Sequence, residues 1–217
     1  EQAFLQLDFP AVYRCVLFVT STVLDENTVR FKPVATCPIG VIKGDGSHLK
    51  SLVERLHTPG FPFKAEGDVQ PIIWKKAIIN SVFNSICPLL ETDNGVFYRS
   101  ETAHGIARDM IGECVGVARE AGIILYPEEV EASLLQISRA SEGQLISTLQ
   151  DIRHQRRTEI DTLNLEIVRM AAAQNREATV SRTKVLGELT RLKADLRQAD
   201  KNHPLVTGLD QIDKAIR

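Results

Sequence analysis

Apolar residues change their period once along this chain. Between residues 12 and 42 they come in short runs rich in β-formers; from about residue 69 they recur every three or four positions. The run Val12 to Thr20 reads as a strand covered on both faces, and Val29 to Ala35 and Gly40-Val41-Ile42 as two more. Asp25-Glu26-Asn27 marks a turn between the first two. Gly44-Asp45-Gly46-Ser47 leads into a short helix, Leu49 to Leu56, with Ser47 placed to cap it. The turn Thr58-Pro59-Gly60 and a short strand over Phe61 to Lys64 complete a β-β-β-α-β order, which is only half of a self-sufficient sheet domain. Segments 69–91, 100–121, 127–140, 142–153, 159–174 and 181–199 then predict helices, with Gly122 ending one and Pro127 opening the next. Asn94-Gly95 is the turn between the first two. Beyond residue 200, His203-Pro204 and Gly208 divide a tail into a turn and one short helix.

The first of these helices carries a polar stripe on an apolar body. Ile78, Ile79, Val82, Phe83 and Ile86 predict a mostly buried surface, yet Lys76, Asn80 and Asn84 recur every four residues and share one face. An unpaired buried amide costs about 1–3 kcal/mol, so the stripe is either a solvated edge or one wall of a polar site. Lys75 lies about 100° further round and has no such partners.

Composition narrows the function classes. At 43% hydrophobic and 25% charged, 217 residues suit one large or two small globular domains. A net charge of −2 gives no basic excess for nucleic acid, and no run of 18 apolar residues predicts a membrane span. The first residues, Glu1-Gln2-Ala3-Phe4-Leu5, show neither a signal-peptide layout nor an initiator Met, so a fragment or processed piece is expected. Cys15, Cys37, Cys87 and Cys114 are scattered without ligand spacing, as expected of buried thiols in a reducing cytoplasm, with no metal site. Gly44-x-Gly46 follows a strand and precedes a helix, but Leu49 stands where a dinucleotide loop needs its third glycine, which favours a plain turn.

Two later segments carry candidate chemistry. Ile146-Ser147-Thr148-Leu149-Gln150-Asp151-Ile152 sets polar groups between apolar contacts. In Arg156-Arg157-Thr158-Glu159-Ile160-Asp161, the Thr158/Asp161 spacing resembles a capping box, with Glu159 in the first turn of a new helix. Glu159 is then either a helix-start acid or a functional carboxylate. In the last helix, Val185, Leu189, Leu192 and Leu196 form a stripe that either packs on its own domain, the reading such stripes usually bear out, or meets a second subunit.

Taken together, W-K-K-x-x-x-N-x-x-x-N from Trp74, D-N-G from Asp93, S-T-L-Q-D-I from Ser147 and R-x-T-E-I-D-x-L-N from Arg156 resemble the C-terminal domain of the ketopantoate reductases (2-dehydropantoate 2-reductases). The resemblance covers about residues 13 to 175, with all four motifs in family order. It implies an α+β chain: a partial Rossmann sheet followed by an all-α domain of the 6-phosphogluconate-dehydrogenase C-terminal type. The expected domains are 1–68 (the end of a Rossmann domain whose first half is missing), 69–200 (helical, substrate-binding and catalytic) and 201–217 (tail).

The resemblance further implies NADPH-dependent reduction of ketopantoate to pantoate, in a cytoplasmic enzyme of pantothenate synthesis. Lys76 falls on the proton donor and Glu159 on the carboxylate supporting it, while Asn80, Asn84, Asn94 and Ser147 fall on the substrate side. Burial would lower the Lys76 pKa and Glu159 would raise it. The cofactor's glycine motif is not in this chain, which alone is expected to be inactive. The implied partner is a small 2-keto acid, with no nucleic acid or membrane, and a homodimer through the helical domain is possible. Departures occur at Asn164-Leu165, where the family has Asn-Gly, and at Arg176 and Thr179-Val180-Ser181-Arg182. They leave open another 2-keto acid, and a non-catalytic helical dimerisation or binding module.

Overall fold

The computed structural model describes residues 5–202, and the predicted turn and helix of the tail lie outside the described residues. The chain divides into two compact units, with the boundary in the sequence between Trp74 and Lys75.

The first unit is organised on β4 (Cys37–Lys43), whose first four residues are buried. β1 (Val12–Cys15) pairs antiparallel with it on one side, and β5 (Phe63–Ala65) pairs parallel on the other. Parallel pairing requires a crossover, which α1 (Leu49–Leu56) supplies as β4-α1-β5. β2 (Val19–Asp25) and β3 (Thr28–Pro33) form a separate antiparallel hairpin. At its turn the Asn27 amide donates to the Asp25 carboxylate at 2.9 Å.

The run Val12 to Thr20 is therefore two strands, not one. Val16 still donates to the Pro38 carbonyl at 3.0 Å, but Phe18 donates to Cys37 Sγ, and beyond it the chain leaves β4 for the hairpin. β1 is half-buried along its length, so its apolar run does not report cover on both faces. Nor does Ser47 cap α1. His48 holds that position without a side-chain bond, and the Ser47 amide closes on the Asp45 carboxylate at 2.6 Å.

The second unit is helical. α2 (Gln70–Leu90) carries buried Ile78, Ile79, Val82, Phe83 and Ile86. A short helix absent from the sequence reading, α3 (Val96–Arg99), follows the Asn94-Gly95 turn. It exists to bury Phe97, whose ring meets Phe83 edge-on with centroids 4.9 Å apart. α4 (Glu101–Glu120) starts at Ser100, whose hydroxyl accepts from the Ala103 amide at 3.2 Å. It ends where Gly122 takes φ 78°, letting Ile123 donate to the Ala118 carbonyl at 2.9 Å. α5 (Pro127–Ala140) has the predicted bounds, with proline at its first position.

α6 (Ser147–Arg153) starts five residues later than its apolar spacing suggested. α7 (Asn164–Ala173) starts at Asn164, not near Glu159, because residues Ile160–Thr162 form a tight three-residue-per-turn helix first. The Thr158/Asp161 box does not form. Thr162 donates both its amide and its hydroxyl to the Glu159 carbonyl, and Asp161 pairs with Arg191 at 3.5 Å.

The closing helix, α8 (Ser181–Asn202), is held by polar contacts. Glu113 of α4 accepts from the Arg182 and Thr183 amides and the Thr183 hydroxyl at 2.8–3.1 Å, which caps the helix start with a carboxylate. Further along, Thr190 donates to the Ser85 carbonyl and Lys193 to the Pro88 carbonyl, near the end of α2. The inward face of α8 is small: Val180 just before it, then Thr183, Gly187, Thr190 and Ala194 are buried. Gly187 permits this approach, since a Cβ there would stand 2.8 Å from Asn164 Cβ. The predicted Val185/Leu189/Leu192/Leu196 stripe points the other way. Those side chains are 46–59% exposed, so the stripe does not pack on its own domain.

Candidate active site

Burial deepens along the polar face of α2. Lys76 and Asn80 are half-buried, and Asn84 is 4% exposed. Both ends of the Asn84 side-chain amide are engaged within the chain. Its Nδ2 donates to the Asn80 carbonyl at 2.9 Å, and its Oδ1 accepts from Ser147 Oγ and the Thr148 amide, both at 3.3 Å. Thr148 lies in the first turn of α6, where the preceding residue, Ile146, has no side-chain acceptor for that amide. A side chain on α2 thus supplies the cap for α6 and fixes the Ser147 hydroxyl beside the α2 stripe.

Asn94 holds the same segment from its other end. Its amide donates to the Gln144 carbonyl at 2.9 Å and its carbonyl accepts from Ser138 Oγ at 2.6 Å. Its side-chain Oδ1 is buried with no partner among the described residues. Polar groups are seldom buried without a partner unless something else engages them, which makes this oxygen the most conspicuous unused acceptor on the segment.

The turn that presents Asn94 is locked by charge. Asp93 pairs with Arg99 and accepts from the Gly143 amide at 2.5 Å, while Arg99 also reaches Glu142 at 2.8 Å. The Arg99 hydrogen bond holds the Asp93 carboxyl below its ordinary value, and Tyr98 and then Arg99 do the same for Glu142. Sequence reading found the D-N-G turn but not this clamp, because Glu142 and Gly143 lie some 50 residues away in an unremarkable stretch.

Three of the six expected residues, Asn84, Asn94 and Ser147, are therefore joined through one segment, 144–148, and Asn80 touches Asn84 through its backbone carbonyl. Lys76 lies one turn from Asn80 on the same face. Glu159 is exposed on the link between α6 and α7, and no bond ties it to Asn84, Asn94 or Ser147 among the described residues. The buried thiols offer no competing chemistry. Burial pushes Cys87 and Cys114 up to about 12, far from a thiolate at neutral pH. Among the described residues no group of three or more potential ligands could hold a metal ion, and no helix is long and apolar enough to cross a membrane.

The Gly44-Gly46 turn was the one place in this sequence that suggested a phosphate cradle, and it does not fit one. Gly44 takes φ 83° because a Cβ would meet the Pro10 carbonyl oxygen at 2.1 Å, and Tyr13 and Ser47 close the turn on Asp45. Gly44 answers to the Pro10 backbone and Gly46 to the Val41 side chain, so no step through a dinucleotide is derived from these residues.

The family model for the ketopantoate reductase PanE/ApbA C-terminal domain matches residues 68–193. The chain belongs to the ketopantoate reductase family. Among curated relatives, the 2-dehydropantoate 2-reductase of Pyrobaculum aerophilum is 31% identical over 127 residues, which are 58% of this chain and 45% of that protein. The chain thus spans about half the length of the curated relatives it matches. A PanE/ApbA family ketopantoate reductase from Ralstonia eutropha superposes with a TM-score of 0.75 at 28% identity, covering 86% of this chain and 60% of that one. D-mandelate dehydrogenase, solved with NADH, shares the fold at TM-score 0.75 and 24% identity, over 84% of this chain and 63% of that one. The ketopantoate reductase match covers the helical unit that carries all six candidate residues, and the fold is α+β with a helical C-terminal part, as the motifs implied.

Proposed function

We propose that this chain supplies the substrate-binding and proton-donating side of an NADPH-dependent 2-dehydropantoate 2-reductase. The observation that carries the reading is the Asn84 bridge, which ties the Ser147 hydroxyl to the helix face that also bears Lys76 and Asn80. On this reading residues 69–200 are the catalytic domain and 1–68 the end of a nucleotide-binding domain. These 217 residues contain no G-x-G-x-x-G, the motif that holds a dinucleotide's pyrophosphate.

Reducing a ketone requires a cation beside its oxygen, to stabilise the growing negative charge and then protonate it. Lys76 takes that role, and Glu159 orients its ammonium. Asn80 and Asn94 bind the substrate's hydroxyl and carbonyl groups through their amides, and Ser147 meets its carboxylate. Asn84 positions Ser147. A nicotinamide cofactor, when bound, would supply the hydride. The expected assay result is NADPH oxidation by the full protein that depends on ketopantoate and exceeds that with pyruvate. The departures at Leu165 and Arg176 bear on which 2-keto acid is reduced, and substrate profiling of the full protein decides between ketopantoate and another.

The role given to Asn84 has its own test. Asn84→Ala leaves Ser147 free to rotate and the Thr148 amide without its acceptor. It is expected to raise KM for the keto acid about tenfold, the effect of losing roughly one well-placed hydrogen bond, with kcat within a few-fold of the parent. A fall in kcat at unchanged KM would instead place Asn84 at the reacting atoms.

A further inference from the structure

We propose that a small cavity where α2 and α6 end beside α8 is a binding site for a phosphorylated organic molecule. The cavity holds about 290 Å³, near the lower end of the range for small-molecule sites. Leu149 and Ile152 of α6, both buried, give it an apolar floor. Glu91, Arg153, Gln155 and Arg197 give it a polar rim.

Two features set this rim apart from the basic residues common at helix ends. Such residues usually serve the last carbonyls of a helix, and here the backbone already serves them. At the end of α2, the Glu91 and Thr92 amides donate to the Pro88 and Cys87 carbonyls at 3.3 and 3.1 Å. At the end of α6, the Gln155 and Arg156 amides donate to the Ile152 and Asp151 carbonyls at 3.1 and 2.8 Å. Each cap also turns on a left-handed residue, Glu91 at φ 52° and Gln155 at φ 55°. Glycine is usual there, because a Cβ adds strain. Both positions instead carry long polar side chains, and both line the same cavity.

Charge selects the ligand. Lys193 first, then Arg197 and Arg153, hold the Glu91 carboxyl below its ordinary value, so both guanidiniums look onto one carboxylate. That carboxylate is already paired with Lys193 at 2.7 Å, and Asp151 with Arg156 at 3.0 Å. Arg153 and Arg197 form no ion pair among the described residues, which leaves two uncompensated cations on the rim. One arginine fork satisfies a carboxylate, whereas a phosphate, with nearly two negative charges and three acceptor oxygens, engages two. The Gln155 amide adds a neutral donor, and the apolar floor takes the carbon body. This site uses none of the residues assigned to the substrate, and so stands or falls independently of the reductase reading.

Calorimetric titration of the full protein with phenyl phosphate, inorganic phosphate and benzoate tests it, at constant salt and with NADPH present to fill any cofactor site. The expected result is one saturable site for phenyl phosphate, with a dissociation constant of about 1 mM or below. Inorganic phosphate and benzoate should each bind about tenfold more weakly, one lacking the body and the other the second charge. Arg153→Gln and Arg197→Gln should each weaken phenyl phosphate about tenfold, and together abolish its binding. Arg119→Gln, at an exposed arginine outside the cavity, should leave it intact. Thermal melts confirm folding, since all three side chains are exposed. Benzoate binding as tightly overturns the phosphate, and inorganic phosphate binding as tightly overturns the organic body. No saturation by about 20 mM, or binding retained in the double variant, overturns the site itself.

Discussion

Phe97→Ala is expected to destabilise the helical unit by about 3–5 kcal/mol, the range for truncating a fully buried phenylalanine. Phe97 is 1% exposed and stands edge-on to Phe83, itself 2% exposed, so its loss removes a ring contact and leaves a cavity in one step. The effect reaches further than the core. α3, which Phe97 anchors, leads directly out of the Asn94 turn, and Arg99 at its end bridges Asp93 and Glu142. Unfolding by urea should show a lower midpoint with little change in slope, and below the transition the variant should also bind substrate more weakly. A loss under 1 kcal/mol would mean that α3 is a surface turn and that the clamp around Asn94 depends on something else.

The larger expected effect is chemical. On the proposed reading Lys76→Ala removes the cation that stands beside the ketone, and positioned acid–base groups typically contribute 10²–10⁴-fold to turnover. The loss should fall on kcat, because the proton is delivered as charge develops and not when the keto acid binds. Lys76→Arg keeps the charge, but a guanidinium does not release a proton near neutral pH, so it should recover substrate affinity more than rate. Glu159→Gln should be milder, since the carboxylate acts through the lysine. It is expected to shift the pH profile of kcat toward lower pH by withdrawing the negative charge that favours the ammonium form.

Much of this was legible from residue order alone. Helical spacing located α2, α4, α5 and α8, and the four motifs together pointed to the family that the domain match then established. What escaped the sequence was local geometry decided by contacts distant in the chain. Thr158 and Asp161 have the spacing of a capping box, yet Asp161 is drawn to Arg191 and the Glu159 carbonyl is taken by Thr162, so the helix starts later. Val12 to Thr20 reads as one strand because its apolar run is continuous. Where it leaves β4 is set by Cys37 and Pro38, which the run itself does not reveal. Amphipathic stripes usually pack inward, whereas the α8 stripe faces outward. Its direction followed from which helix neighbours demanded small residues, above all Asn164 against Gly187.

At the site, the sequence supplied the residue types and the structure supplied their division of labour. Asn80, Asn84 and Asn94 look alike in a motif. In the fold, Asn84 engages its amide with Asn80, Ser147 and Thr148, whereas Asn94 keeps a buried oxygen with no partner among the described residues. The first arrangement holds a site together, and the second leaves something to bind.

The most direct measurement is steady-state reduction of ketopantoate by the full protein carrying Lys76→Ala, with NADPH affinity followed separately by nicotinamide fluorescence. The account predicts kcat lower by at least about 10², with the NADPH dissociation constant unchanged within a few-fold. Near-normal turnover in that variant would contradict it.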